Sequence, residues 1–501
     1  MSVGALSHSE VTAPIIDWLI SPASGDLHAE AVALAGHLDA LHAPRGISHA
    51  QFHRCIELFY SRALQLSGEF RRSLRSMELP LAADWLASAS LMTASLLRIA
   101  QGFERVLSNA SSGAIRTQRR LNETASARAL RLLCEQFVIV CQSGREPETS
   151  LWQTANRLYY LSRAEAGAAQ AAGSPAETAL FTYKRLLGIA ALDPRTMSPG
   201  ELDWAAEYVS RICGQLHVQE DRPPSLEGAW YWIDPADTAE PQACNRQMPP
   251  ERQKSKLIFF ATTALARRAA ELLARHEGGR GGPDLEPSEL FPGVVPTALL
   301  GRMRSRWHAP PKREHPRRRQ QYSVEACVGL TSIWRMLRGD KSAAAELISE
   351  WDVVNESPGG YAIIQVKGAG SGLGAGMAVA LRREPKEAWS VCVVRWLRSG
   401  DAGQLEMGLQ IVSKGAVPVQ VGFRLSNDRS VSMVDALVLP VLPALRQHQA
   451  VLAPSGTYTS RRFSLVSDID RLYVAQGRLL SLDMQTANVE LFQFEIDPYP
   501  L

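Results

Sequence analysis

Two groups of residues have types and spacing suited to chemistry on an anion. Between Arg302 and Arg319 lie Arg302, Arg304, Arg306, Lys312, Arg313, Arg317, Arg318 and Arg319, opposed within the run by Glu314 alone. Arg313 and Arg317 make an Arg-x3-Arg pair, which Arg318 and Arg319 extend. Guanidinium groups at this spacing can converge on a phosphate or stack on a purine face. The second group is Asn355-Glu356-Ser357-Pro358-Gly359-Gly360. Its Asn and Ser side chains offer a donor and acceptors, and its glycines allow close approach. Each group also has a plainer reading. A like-charge run is often a solvated linker, and Asn, Ser, Pro and Gly favour tight turns for local reasons.

Other chemistries find little support. The formal net charge is +3, so any basic site is local. Nucleic-acid binding is a further reading of the arginine run, against which stand that small net charge and Trp307 as its one aromatic. The cysteines, Cys55, Cys134, Cys141, Cys213, Cys244, Cys327 and Cys392, form no CxxC pair and read as reduced thiols. The 11 histidines do not cluster, and His276-Glu277 lacks the second histidine of a zinc-protease helix. No GxSxG elbow is present. The glycine-rich Gly368–Gly376 stretch does not satisfy GxGxxG, and no Gly-Lys-Ser/Thr follows it; it reads as a flexible connection between two strands. No catalytic residue, metal ligand or cofactor site can be named, so the expectation is a protein that is not an enzyme.

The elements that must hold these groups fall into two textures. Up to about residue 300, apolar residues recur at helical spacing, as with Ala31, Leu34, Ala35, Leu38 and Leu41. Ser198, Pro199 and Glu201 spell the start of a helix with a capping box. Helices in series are compatible with a helical repeat, although no strict period is evident. Trp230–Asp234 reads as an isolated strand or an extended linker. Breaks rich in Gly and Pro at Gly278–Pro287 and at Pro310, Pro311 and Pro316 mark a boundary.

Beyond that boundary lie short β-type runs: Tyr361–Val366, Met377–Leu381, Ser390–Trp396, Met407–Val412, Pro418–Phe423, Asp435–Val438, Phe463–Val466, Leu472–Val474 and Leu491–Phe494. Runs of this length separated by turns predict barrels or sandwiches. A helical insertion near Thr331–Leu337 and Ala343–Ile348 precedes most of them. With 501 residues, 46% of them hydrophobic and 21% charged, the chain has room for about three globular units. The N-terminus does not read as a signal peptide, no stretch is long and apolar enough for a membrane span, and the expected location is cytoplasmic.

The two polar groups, in this order and in this strand context, resemble the motif pair of the PilZ family. That family carries Arg-x3-Arg ahead of its first strand and Asp/Asn-x-Ser-x-x-Gly between the next two. Here they are Arg313-Glu-His-Pro-Arg317 and Asn355-Glu-Ser357-Pro-Gly-Gly360. The resemblance covers about Lys312 to Phe423. It implies an antiparallel β-barrel and a bacterial receptor for the second messenger cyclic di-GMP. By that likeness Arg313 and Arg317 hold phosphates and stack on guanine, Asn355 and Ser357 hydrogen-bond the nucleotide, and Gly359 and Gly360 leave room for it. Arg318 and Arg319 are alternative contacts, because the arginine run leaves the register open.

The expected organisation is multidomain α + β. An α-helical domain over 1–300 leads to a basic linker over 301–320 with the arginine motif. A PilZ-like barrel over 321–425 follows, then a second β-rich, PilZ-like domain over 426–501 that lacks both motifs. The expected function is a signalling effector that binds cyclic di-GMP, needs no cofactor, contacts neither DNA nor a membrane span, and passes the signal to a protein partner through the helical domain. The alternative is a helical scaffold with a degenerate barrel that binds no nucleotide.

Overall fold

The computed structural model describes residues 8–497 except 43–46, 109–114, 167–177, 237–239, 251–255, 281, 287, 313–314, 340–346, 368–371, 401–403, 425–430, 459–460 and 470. Arg313 thus lies outside the described residues.

The helical region begins with α1 (His8–Ile20), α2 (Leu27–His42), α3 (His49–Leu74), α4 (Ala83–Ser108) and α5 (Ile115–Gln142). It continues through α6 (Thr149–Ala166), α7 (Ala179–Ala190) and α8 (Pro199–Ile212). The apolar face expected on α2 is real, with Ala31, Leu34, Leu38 and Leu41 buried. At the start of α8 the Glu201 amide donates to Ser198 Oγ at 3.2 Å, and the Ser198 amide donates to Glu201 Oε2 at 3.1 Å. That is the capping box spelled by the sequence.

Burial here is not only apolar. Arg71 of α3 donates to Asp203 Oδ1 of α8 at 2.6 Å and to Glu135 Oε2 of α5 at 2.8 Å. Arg185 of α7 reaches the other Glu135 oxygen at 3.2 Å. Burial pushes the Glu135 carboxyl up, but Arg71 and Arg185 outweigh it and hold the group below its ordinary range.

One difference from the sequence expectation lies inside this region. The aromatic run is neither isolated nor a linker: it is β2 (Trp230–Ile233) of a four-stranded antiparallel sheet. Its other members are β1 (His217–Gln219), β3 (Gln242–Ala243) and β4 (Ile258–Ala261), in the order β1-β4-β2-β3. Strands this short carry almost no periodicity, so they are nearly silent in sequence. Helices α9 (Thr263–Arg275) and α10 (Pro296–His308) close the region.

Two closed barrels follow, each of six antiparallel strands. The first comprises β5 (Arg318–Val328), β6 (Ile348–Ser357), β7 (Gly360–Lys367), β8 (Ala378–Arg382), β9 (Ser390–Ser399) and β10 (Leu405–Ser413), in the order β10-β7-β6-β5-β8-β9. Val324, Trp351, Val353, Ile363, Leu381, Val394 and Met407 are buried in a core continuous with that of the helices. Trp351 is a core residue, as its apolar neighbours predict.

The second barrel comprises β11 (Val417–Arg424), β12 (Val431–Leu439), β13 (Ala450–Pro454), β14 (Arg462–Ser467), β15 (Tyr473–Gln485) and β16 (Val489–Ile496). Its core centres on Phe463, which stacks on Phe423 at 5.3 Å and meets Phe492 and Phe494 edge-on. Between the barrels lies α11 (Leu330–Leu337), the described part of the expected insertion. Its Leu330, Ile333 and Met336 are buried with Ala380 and Val391 of the first barrel and Leu437 and Leu452 of the second. Trp334 Nε1 donates to the Val419 carbonyl at 2.8 Å.

The candidate ligand site at the rim of the first barrel

The β6–β7 hairpin turns through Pro358 and Gly359, with Ser357 opposite Gly360. Ser357 Oγ donates to the Gly360 carbonyl at 3.3 Å. The hairpin is pressed onto β10: the Ile411 amide donates to the Gly359 carbonyl at 2.9 Å. A Cβ at Gly360 would sit 1.9 Å from the Leu409 carbonyl oxygen. The glycine is therefore demanded by close backbone approach.

Strand β5 brings arginines to this hairpin. Arg318 stands opposite Glu356 and Arg319 opposite Asn355. An irregularity follows, since β5 advances from Arg319 to Tyr322 while β6 steps from Asn355 to Val353. Cross-strand partners share a face. Arg319 therefore shares a face with Asn355, and Arg318 shares the other with Glu356. Opposite Glu356 on its far side is Tyr361, which packs against the main core. Arg317, Arg318 and Arg319 are all exposed. Asn355 Oδ1 is buried and has no hydrogen-bond partner among the described residues, a costly state for an amide oxygen in a built site.

The basic run is divided by the fold, and the linker expected over 301–320 is only partly one. Its front half lies in α10, where Arg302 pairs with Glu201 and Arg306 with Asp193 at 3.1 Å. Burial pushes the Asp193 carboxyl up, but Arg306 and Arg195 hold it below its ordinary range. Trp307 is fully buried and donates to the Gly188 carbonyl at 3.3 Å. Asn245 and Arg246 then grip the Pro310 and Pro311 carbonyls, each at 2.6 Å. The helical region thus fixes the chain two residues before Arg313. The rear of the run, Arg318 and Arg319, is already strand.

Two residues without any motif signal also reach this rim. The Tyr322 hydroxyl donates to Glu356 Oε2 at 2.7 Å. The Arg383 guanidinium lies 4.6 Å from the Tyr322 ring centre. Burial, then the bond to Glu356, pushes the Tyr322 hydroxyl well above its ordinary range. Only the fold shows that the residue after β8 faces one in β5.

The described part of the glycine-rich stretch, 372–376, packs away from this site. Residues 368–371 lie outside the described ones. Beyond them the Leu373 amide donates to the Leu79 carbonyl at 3.1 Å, and Gly372 abuts the Glu78 carboxylate. Carboxylate neighbours suit no phosphate. Among the described residues no group of His, Cys, Asp and Glu could hold a metal ion, and no helix is long and apolar enough to cross a membrane.

A helical region leading to a β-barrel, with arginines facing an Asn-x-Ser-x-x-Gly hairpin, is the build of a PilZ protein, and the chain carries a PilZ domain. Residues 338–418 match the family described as the middle PilZ domain of the cyclic-di-GMP receptor FimW, and residues 13–224 match the N-terminal domain of that receptor. The chain is 34% identical to the cyclic-di-GMP receptor FimW of Pseudomonas aeruginosa over 102 residues, which span 20% of this chain and 17% of that protein. No solved structure matches. The PilZ match takes in Asn355, Ser357, Gly359 and Gly360 but begins after Arg317, Arg318 and Arg319.

Proposed function

We propose that the chain is a receptor for cyclic di-GMP, bound at the rim where β5 faces the β6–β7 hairpin. The observation that carries this is the register of Arg319 against Asn355. It brings an exposed guanidinium and a buried amide oxygen, unpartnered among the described residues, to one face. A dianion with flat purines suits that pairing of charge and polar edge. Arg317 and Arg319 bind phosphate, with Arg313 completing the motif by the family likeness. Asn355 and Ser357 hydrogen-bond the nucleotide, while Gly359 and Gly360 keep the hairpin low against β10. Arg318, on the face of Glu356, balances that carboxylate rather than holding the ligand. The similarity to a named cyclic-di-GMP receptor supports the ligand.

The protein acts in the cytoplasm, by binding rather than by catalysis. Ligand capture at the arginines, next to the grip of Asn245 and Arg246, alters the helical region and the surface it shows to a protein partner. Thermal unfolding with and without cyclic di-GMP tests the reading. The wild type is expected to be stabilised by an amount that rises with the logarithm of ligand excess over Kd. The Asn355→Ala/Ser357→Ala variant is expected to lose most of that shift. A wild type whose melting ignores the ligand at every concentration contradicts the proposal and leaves the helical scaffold as the working model.

A further inference from the structure

The second barrel carries neither ligand motif, and its core runs out into solvent at one end. On β11, Val419, Val421 and Phe423 are buried, but Val417, next in the same row, is 47% exposed. On β15, Ala475 and Leu479 are buried, but Tyr473, which continues that row opposite Ser467, is 50% exposed. The first barrel shares its core with the helices. Among the described residues no element covers this mouth of the second. The turn into β15 adds the apolar side chains of Ile469 and Leu472, and Leu472 is 75% exposed. Beside them opens a cleft of about 520 Å³, lined by Leu337, Val417, Pro418, Ile469 and Arg471 among others. A contiguous apolar end with a charged edge marks an interaction surface.

We infer that this mouth docks a second copy of the chain, two second barrels meeting end to end about a twofold axis. Such a contact needs a patch complementary to itself: a knob, a hole and charges of both signs on one surface. All are present here. Leu472 is the knob, projecting from the turn that walls the cleft, and the apolar cleft is the hole. Arg471 is exposed and makes no ion pair among the described residues. Asp468, three residues earlier, presents a half-exposed carboxylate. Arg338 holds that carboxylate in place at 2.9 Å and itself lies 4.6 Å from the Trp334 ring centre. About a twofold axis, Arg471 of each copy meets Asp468 of the other, so one pairing is made twice. These side chains are fewer than an obligate interface uses, so the association is reversible and rises with concentration. The barrel without motifs thereby becomes the association module of the chain.

The test is sedimentation velocity of the full chain over a concentration series without nucleotide, for the wild type, Leu472→Asp, Arg471→Glu and Ile20→Asp. The wild type is expected to pass from monomer to dimer as concentration rises. Leu472→Asp is expected to weaken the dimer about tenfold or more, as loss of a central apolar anchor does. Its unfolding temperature at low concentration should be unchanged, because the side chain is exposed. Arg471→Glu sets two carboxylates face to face and is expected to weaken the dimer about fivefold. Ile20, comparably exposed on α1, is the control, and Ile20→Asp is expected to leave the dimer as it is. A wild type that stays monomeric at every concentration overturns the inference. So does a dimer as strong in Leu472→Asp as in the wild type, or one lost equally in Ile20→Asp. Because no nucleotide is present, each of these results leaves the receptor proposal untouched.

Discussion

Gly360 shows how much a single atom can decide at this rim. A methyl group there would collide with the Leu409 carbonyl oxygen, so the hairpin would have to lift from β10. Gly360→Ala is therefore expected to cost about 1–3 kcal/mol, as overpacking does, and to displace Asn355 and Ser357. Chemical denaturation read beside ligand affinity checks this; a variant as stable as the wild type would show that the hairpin has slack. Arg71 carries a different kind of weight. It is shared by Glu135 and Asp203 in the buried centre of the helical region. Arg71→Ala takes one partner from each of two buried carboxylates, leaving Glu135 to Arg185 and Asp203 to Arg75, and is expected to lose about 3 kcal/mol.

The same network sets an acid limit. The Glu135 carboxyl is held below its ordinary value, about 4.3, because Arg71 and Arg185 outweigh burial. A depressed carboxyl contributes stability that is whole above that ordinary value and is lost as pH falls below it. Unfolding temperature followed from pH 6 downward should therefore drop less steeply in Glu135→Gln than in the wild type. Parallel curves would remove Glu135 from the account.

At the scale of elements, α11 holds the two barrels together. Ile333 is fully buried between them, and Trp334 bonds to the second barrel. Ile333→Ala is expected to cost about 2–5 kcal/mol and to separate the unfolding of the barrels into two transitions by calorimetry. A single undivided transition would assign their coupling elsewhere, for instance to Thr486 Oγ1, which donates to the Gly376 carbonyl at 2.7 Å. The sequence announces most of the elements on which this rests. Runs such as Tyr361–Val366 and Ser390–Trp396 carry β-branched and aromatic residues, and each lies in a strand. β5 is harder to read, since Arg318-Arg319-Gln320-Gln321 continues a charge run and looks like linker. The hairpin motif was visible in its residue types, because Asn, Ser and Gly have local reasons to be there. The facing of Arg319 and Asn355 was not, because the irregularity after Arg319 resets which side chains share a face, and register belongs to the pairing of two strands.

On the scale of the whole molecule, the first barrel is tied to the helical region along its β9 side. The Ser399 amide donates to the Gly144 carbonyl at 2.7 Å, and Arg398 pairs with Glu146 at 3.0 Å. Near the start of the arginine segment, Arg306 pairs with Asp193. If ligand binding is felt by the helical region, this junction is the route, since α10 ends at His308 and β5 begins at Arg318. Residues 308–318 should then gain protection from protease when cyclic di-GMP is added. The Asp193→Asn variant should bind the ligand yet transmit less of that protection to α10. Equal cleavage with and without bound ligand would dismiss the junction as a switch.

The most direct measurement is a calorimetric titration of the wild type with cyclic di-GMP beside the single variants Arg319→Ala and Arg318→Ala. The shared face of Arg319 and Asn355 predicts that Arg319→Ala weakens binding about tenfold or more, the worth of a charge-assisted hydrogen bond, while Arg318→Ala changes it far less. Wild-type protein that takes up no ligand, or a loss confined to Arg318→Ala, would contradict the account of the rim given by this register.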